Sequence, residues 1–152
     1  MREVEVRIPG RPPGANALHR QGFWKVRKER GEWLAVSHGA SVVAMTASPY
    51  ARDWIVTAVG RSGRSPASSS YVEPGRWWPL SRASLAVEWR CKTRRRRDYD
   101  NLVAGLKPLI DGLVSAGIIE DDDSEHLVSL GPLTVTPRAA ADETVLTVRE
   151  ES

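Results

Sequence analysis

The sequence contains a single cysteine, Cys91, so the chain cannot form an internal disulfide bond. This excludes the small secreted domains that depend on disulfide frameworks, and a lone thiol is typical of a reducing compartment. No apolar stretch approaches the roughly 20 residues that a membrane-spanning helix needs. The first ten residues alternate charged and apolar side chains and lack the apolar core of a signal peptide. We therefore expect a cytoplasmic protein with no membrane segment.

Internal repeats and a second apolar core are also lacking. The length of 152 residues suits one compact domain over residues 1–152. Hydrophobic residues make up 41% and charged residues 27% of the chain, which favours a globular over a disordered protein. Residues 61–80 are rich in serine, proline and glycine and are predicted to form a long loop.

Apolar periodicity predicts strands and helices in mixed order. Alternating apolar residues predict strands over 4–8, 85–91, 127–135 and 144–148. Helical spacing predicts helices over 49–59 and 100–116. Pro108 should kink the second helix or start a new one, and Gly117 should end it. Residues 22–36 mix aromatic and cationic side chains around Gly31 and are interpreted as a hairpin. The predicted fold is α+β, a small mixed sheet packed with two main helices.

Positive charge is concentrated in two segments, although the net charge is only +3. Clustered cations indicate a polyanionic partner such as DNA, although a basic run is more often simply a solvated surface. The cations expected to contact DNA are Lys25, Lys28, Arg94, Arg95, Arg96 and Arg97.

The segment RRRRDYDN, residues 94–101, places two aspartates where a strand gives way to a helix. Asp98 and Asp100 are two residues apart, so in extended geometry their side chains point to the same side. A second acidic run, EDDD at 120–123, follows the helix and approaches the first pair only if the chain folds back. Three carboxylates would then lie beside a block of arginines. Such hard oxygen ligands suit Mg²⁺, which polarises a phosphate and activates a bound water.

Structural roles would explain the same residues. Asp100 could cap the helix that follows it, and Asp98 could pair with a neighbouring arginine. The run at 120–123 could be a solvated turn. Lys107 and Asp111 have the i, i+4 spacing of an ordinary surface ion pair. Spacing alone leaves these roles and a nuclease site both open.

One combination of motifs resembles the RusA family of Holliday junction resolvases. It comprises RRDYDNL at 96–102, Lys107, DGL at 111–113, AG at 116–117 and DD at 121–122. The segment IPGRPPGAN, residues 8–16, is similar to the opening strand and Pro-rich loop of that family. The specific part of the match covers residues 94–124.

The resemblance implies a homodimeric endonuclease that binds branched DNA and cuts four-way junctions by paired nicks, with Mg²⁺ or Mn²⁺ as cofactor. The metal-binding aspartates of the family correspond to Asp98, Asp100 and Asp122, and its catalytic lysine corresponds to Lys107. Asn16, at the end of the Pro-rich loop, is expected to contact DNA. A phage or prophage origin, and action in the cytoplasm of a bacterial or phage-infected cell, are further expectations.

The sequence departs from the family pattern around its lysine and its second acidic motif. The lysine of the family usually lies four residues after the second aspartate, a position that Ala104 holds here. Lys107 lies three residues further along. A run of three aspartates leaves Asp121 and Asp123 as alternatives to Asp122.

The loop at 61–80 is longer than the family pattern predicts. It contains the Trp77–Trp78 pair, which could lie at a dimer interface or fold back on the core. Two alternative functions stay open at this point. One is a catalytically silent protein that binds junctions or other DNA, and the other is a nuclease for flaps or other branched DNA.

Overall fold

The computed structural model describes residues 2–14, 21–47 and 79–152. Within these ranges the chain forms a four-stranded mixed sheet with two main helices, α1 and α3, and one short helix, so the α+β prediction is confirmed. In chain order the elements are β1 (Glu3–Pro9), α1 (Phe23–Ala47), β2 (Ala83–Cys91), α2 (Tyr99–Ala104), α3 (Lys107–Ala116), β3 (Leu127–Pro137) and β4 (Glu143–Glu150).

The strands lie in the order β1–β4–β2–β3. Strand β4 is antiparallel to both of its neighbours, whereas β2 and β3 are parallel. Because parallel strands need a crossover connection, the chain runs from β2 through α2 and α3 before it enters β3. All of the acidic residues predicted to form a site lie in this crossover.

One face of the sheet is buried. Strand β1 buries Val4, Val6 and Ile8 and exposes the residues between them, and β2 buries every second residue from Ala83 to Cys91. These side chains form one hydrophobic cluster with the apolar side of α3. Helix α1 packs against both α3 and β1. The α2–α3 crossover is therefore held on a rigid layer.

The predicted hairpin over 22–36 is wrong, because these residues lie almost entirely in α1. The core-facing row of α1 repeats every four residues and consists of Trp33, Ser37, Ser41 and Met45. Both serines are fully buried. Since two of the four inward positions are polar, the apolar periodicity that identifies a helix is weak in this segment.

Ser37 of α1 is buried because α1 and α3 approach each other closely. Ser37 Oγ donates a hydrogen bond of 2.6 Å to the carbonyl oxygen of Leu109. A Cβ atom at Gly112 would lie 2.4 Å from Ser37 Cβ. Glycine at 112 and a small polar residue at 37 thus allow the two backbones to meet, and the hydrogen bond satisfies the buried hydroxyl.

The predicted helix over 100–116 is divided into α2 and α3. Helix α2 ends at Ala104, Gly105 follows, and Pro108 lies in the first turn of α3. Proline is favoured there because the first amide groups of a helix have no partner within it. Pro108 thus starts a new helix, one of the two outcomes expected for it. Gly117 ends α3 with a φ of 82°, as predicted.

Several predictions fall outside the described residues: the helix at 49–59, the loop at 61–78, Trp77–Trp78 and Asn16. The last two residues of the predicted loop are described, and Leu80 is fully buried in the core. In the parts of the chain that the structure describes, no helix has the length and apolarity to cross a membrane.

Candidate active site

Asp98 and Asp100 lie where the chain enters α2. Asp98 is the N-cap residue, with extended backbone angles (φ −88°, ψ 127°), and Asp100 lies in the first helical turn. The Asp98 side chain makes no capping hydrogen bond. Both aspartates are exposed, and within the described ranges of the chain neither carboxylate makes an ion pair or a hydrogen bond. Both carboxylates can therefore bind a cation from solvent.

The Pro-rich loop that follows β1 packs against α2. A Cβ atom at Gly14 would approach Asn101 Oδ1 to 2.3 Å, so this position has room only for glycine. The carbonyl oxygens of Pro12 and Pro13 would each lie 3.3 Å from a Cβ atom at Gly105. The loop thus touches both ends of α2, and this contact holds it next to the turn that carries the two aspartates.

Lys107 is the first residue of α3, and its ammonium group bridges two carboxylates. Its Nζ donates to Asp111 Oδ1 at 2.7 Å and to Asp122 Oδ2. The hydrogen bonds to Asp111 and Asp122 raise the pKa of Lys107, and the hydrogen bond from Lys107 lowers the pKa of Asp122. Both groups are therefore charged at neutral pH. The Lys107 side chain is still 58% exposed, so a ligand can reach it.

Asp122 reaches Lys107 because a short bridge fixes the chain just before the acidic run. Leu80 and Ile119 form a parallel bridge. The Leu80 amide donates to the Ile118 carbonyl oxygen, and the Glu120 amide donates to the Leu80 carbonyl oxygen, each at 3.0 Å. All three apolar side chains are buried. The chain therefore folds back along α3. The sequence alone could not show whether it does so.

Within the acidic run, Asp123 is used by the turn that leads into β3. Its Oδ1 accepts hydrogen bonds from the amides of Glu125 (2.8 Å) and His126 (3.0 Å) and contacts His126 Nδ1 at 2.7 Å. The other ring nitrogen of His126 lies 3.3 Å from Glu120 Oε2. The hydrogen bond with Asp123 raises the pKa of His126, and the same bond lowers the pKa of Asp123.

The structure does not bring the three predicted metal ligands into one group. Among the described residues, no three His, Cys, Asp or Glu side chains are placed to hold one metal ion. The donor chemistry of Asp98, Asp100 and Asp122 nevertheless fits Mg²⁺, since all three offer hard carboxylate oxygens. Lys107 holds one Asp122 oxygen in this arrangement. Asp122 can therefore join the other two aspartates only after a local rearrangement.

Of the structural roles that the sequence left open, two are formed. Residues 120–123 lie in a largely exposed turn. Lys107 and Asp111 make the expected i, i+4 ion pair. Asp100 is not the capping residue of α2, and Asp98 makes no ion pair with a neighbouring arginine. The additional contact of Lys107 with Asp122, which lies far along the sequence, exceeds what a simple surface pair requires.

The predicted DNA-binding cations lie on two surfaces. Arg94, Arg95 and Arg96 are exposed, as are Lys25 and Lys28 on α1. Arg97 is half-buried, and its Nη2 donates to Thr93 Oγ1 at 3.2 Å. At least three arginines directly before Asp98 can therefore contact phosphates.

No family model matches this sequence, and no curated protein matches it. The resemblance to the RusA family therefore stays a prediction.

His126 is the residue of this region that sequence reasoning missed. It lies three residues after Asp123, a spacing at which an aspartate can accept a hydrogen bond from a following amide and contact a nearby side chain. That spacing was a usable signal. It indicates a turn-forming role for Asp123 and so reduces the number of aspartates available for a metal ion.

Proposed function

We propose that the protein is a Mg²⁺-dependent endodeoxyribonuclease of the cytoplasm that resolves four-way DNA junctions by paired nicks. The observation that carries the proposal is the contact of Lys107 with Asp122, made by a chain that folds back along α3. This contact joins a lysine and a carboxylate from separate segments of the β2–β3 crossover. Asp98 and Asp100 lie on the same crossover. Exposed arginines directly precede this pair.

Each residue has a distinct part in this proposal. Asp98, Asp100 and Asp122 would hold Mg²⁺, which supplies polarisation of the scissile phosphate and a more acidic bound water. Lys107 is charged and accessible, so its ammonium can donate to a phosphate oxygen or stabilise the developing negative charge. Because Asp122 and a phosphate oxygen would compete for that ammonium, DNA binding favours the release of Asp122 from Lys107.

The arginines of 94–96 would hold the phosphates that flank the scissile bond. Guanidinium groups bind phosphate oxygens through two parallel hydrogen bonds and stay charged at every relevant pH. These contacts carry no sequence information. Selectivity would then come from the shape of the branched DNA rather than from its bases.

The proposed working unit is a homodimer. A four-way junction has two equivalent strands to cut, and one chain with one lysine–aspartate site serves one scissile phosphate at a time. A two-fold symmetric dimer matches the symmetry of the substrate. Light scattering measures the mass directly, and a monomer that still makes paired nicks would contradict this part of the proposal.

The test of the proposed function is incubation with an end-labelled four-way junction, with and without Mg²⁺. We expect two symmetric nicks that depend on the metal, and weaker cleavage of a linear duplex of the same sequence. Preferential cleavage of flaps or replication forks would instead favour a nuclease for other branched DNA.

One alternative function has support from an observation. Because no three-carboxylate group is formed among the described residues, a DNA-binding protein without cleavage would have the same arrangement. Tight junction binding without cleavage in either Mg²⁺ or Mn²⁺ would favour this alternative and overturn the nuclease proposal.

A further inference from the structure

The first turn of α1 presents two large aromatic side chains to solvent. Phe23 is 71% exposed and Trp24 is 75% exposed. Their ring centroids lie 5.5 Å apart with an angle of 75° between the planes, so the rings meet edge to face. Scattered single apolar residues are common on protein surfaces, but two adjacent rings exposed to this degree form a contact surface.

Cations occupy the same turns of α1 as this aromatic pair. The guanidinium carbon of Arg27 lies 6.0 Å from the centroid of the Trp24 ring. The exposed cations of the first turns are Lys25, Arg27, Lys28 and Arg30. Lys28 forms an ion pair with Glu32 at 3.9 Å. In the described part of the chain, the other three cations form none. These four cations outnumber the two acidic residues of the same turns, Glu29 and Glu32, so the aromatic pair lies in a region of excess positive charge.

The stability of α1 does not explain this charge. The first turn of α1 contains no acidic residue. Cations near a helix N-terminus face the positive end of the helix dipole, which is unfavourable for the isolated helix. A negatively charged partner would remove this unfavourable interaction.

Helix α1, which carries the aromatic pair, also contacts the segment that carries Lys107. Arg30 and Trp33 of α1 line a small cleft together with Gly105 and Pro108, the residues on either side of Leu106 and Lys107. From Trp24 to Arg30 the helix advances about 9 Å. That distance corresponds to two or three nucleotides at roughly 3.4 Å each. A DNA strand that passes this cleft could therefore continue to the aromatic pair.

We propose that Phe23 and Trp24 form a stacking platform for unpaired or unstacked DNA bases, with the cations of α1 holding the adjacent phosphates. Aromatic rings bind bases of any sequence through their faces, and nearby cations neutralise the strand. A regular duplex buries its base faces, whereas a branch point or single strand exposes them. The platform would thus give the proposed nuclease a preference for branch points, and in that respect the inference rests on the proposed function.

The test compares binding of the full-length protein to three fluorescent probes without Mg²⁺, so that no cleavage occurs. The probes are a single-stranded oligothymidine, a duplex of matched length and a four-way junction. The test variant combines Phe23→Ala with Trp24→Ala. The matched control is Val43→Ala, which removes an apolar side chain that is 67% exposed on the same helix. Trp24→Phe keeps an aromatic face and should retain binding.

We expect the double variant to lose affinity on the order of tenfold for the oligothymidine and the junction, and to stay within about twofold for the duplex. Val43→Ala should leave all three affinities unchanged. Equal losses on all three probes, or no loss, would overturn the proposal. Dissociation of a wild-type dimer in the double variant, with oligothymidine binding intact, would show that the rings contact a second copy and would also overturn it.

The outcomes separate this inference from the proposed function. A wild-type protein that never cuts a junction, while the double variant still loses oligothymidine binding, would refute the nuclease and leave the platform standing. A wild-type protein that cuts junctions in Mg²⁺, with a double variant that binds every probe normally, would refute the platform alone. Circular dichroism and thermal melting check that the double variant is folded, which we expect because both rings are exposed.

Discussion

The two acidic segments of this protein, residues 98–100 and 120–123, differ in what their carboxylates already contact. Asp98 and Asp100 are exposed, and the structure gives their side chains no hydrogen bond or ion pair. In the second segment Asp122 binds Lys107, and Asp123 accepts hydrogen bonds from the turn that precedes β3. The two carboxylates of the first segment are therefore available to a ligand, whereas in the second segment Asp123 holds the turn and Asp122 is paired with Lys107.

This difference bears on which aspartate of the second segment could bind a metal ion. Asp123 Oδ1 is occupied by two backbone amides and by His126. Asp121 Oδ1 accepts a hydrogen bond of 2.7 Å from the Asp122 amide. The main contact of the Asp122 carboxylate is with the exposed Lys107 side chain, so it can be released without loss of the amide hydrogen bonds that Asp123 accepts. The contacts therefore favour Asp122 over its two neighbours.

The largest expected effect is the loss of cleavage in aspartate variants. Each of Asp98→Asn, Asp100→Asn and Asp122→Asn should abolish cleavage and leave junction binding unchanged or tighter, since asparagine keeps the shape but removes the negative charge. The free energy of unfolding should change by less than about 0.5 kcal/mol for Asp98→Asn and Asp100→Asn, because no contact is lost. A gel assay with a labelled junction and chemical denaturation give the two readouts.

The control for this prediction is Asp123→Asn, which keeps an oxygen for the turn amides and should retain cleavage. Near-normal cleavage by the Asp122→Asn protein, together with a loss in Asp123→Asn or in Asp121→Asn, would assign the third ligand to a neighbour. That result would also show that the hydrogen bonds of these three aspartates do not identify the metal ligand.

Most of the sheet could be predicted from the sequence, because its strands are amphipathic. Strands β1 and β2 alternate apolar with polar or small residues and bury the apolar set, as the period of two requires. Helix α1 could not be predicted, because serines, Ser37 and Ser41, occupy two of its core positions. Apolar residues at these positions would have produced the helical periodicity that is missing from the sequence. The burial of Ser37 depends on the close approach of α3 at Gly112, which is a tertiary effect.

The candidate site was predictable only in part. Local sequence placed Asp98 and Asp100 at the start of a helix and paired Lys107 with Asp111, since these depend on short spacings. The contact of Lys107 with Asp122 depends on how the chain returns after α3, and the bridge of Leu80 with Ile119 determines that return. Distant residues set this geometry, so no local pattern could have predicted it.

A smaller effect is expected from Lys107→Ala, which removes the partner of Asp122 in the second acidic segment. Removal of one preorganised electrostatic group should lower the cleavage rate by about 10²–10³-fold. Stability should change little, since exposed ion pairs contribute roughly 0–1 kcal/mol. The matched control is Asp111→Asn, which removes the other partner of Lys107 and should keep most activity. Single-turnover kinetics measure the cleavage rate. A wild-type rate in Lys107→Ala would show that Lys107 only forms a surface ion pair with Asp111 and has no part in cleavage.

The arginines before Asp98 should affect binding rather than chemistry. Replacement of Arg94 and Arg95 by alanine should weaken binding to all DNA and reduce the slope of log affinity against log salt by about 0.9 per lost phosphate contact. The control replaces Arg7 and Arg149, two exposed arginines that form ion pairs on β1 and β4. Fluorescence anisotropy over a salt series measures the slope. An unchanged slope would contradict the assignment of these arginines to phosphates.

The smallest expected effect concerns the pH dependence of stability in the second acidic segment. The pKa of His126 is raised above 6.5, so its contribution is present below that pH and is lost as the pH rises through the folded-state pKa. The pKa of Asp123 is lowered below 3.8, so its contribution is present above that pH and is lost as the pH falls through the folded-state pKa. The pair therefore stabilises the fold most between these values.

Asp123→Asn keeps the acceptor for the two amides and removes the charge, so it isolates the ion pair from the turn. The difference in unfolding free energy between wild type and this variant should be larger at about pH 5.5 than at about pH 8.5. Glu125→Gln, which removes a carboxylate of the same turn, should show no such dependence. Metal-free urea denaturation at both pH values measures the difference. An equal difference at both would mean that Asp123 stabilises the turn through its backbone hydrogen bonds alone, and the second segment would then be held without the charge of His126.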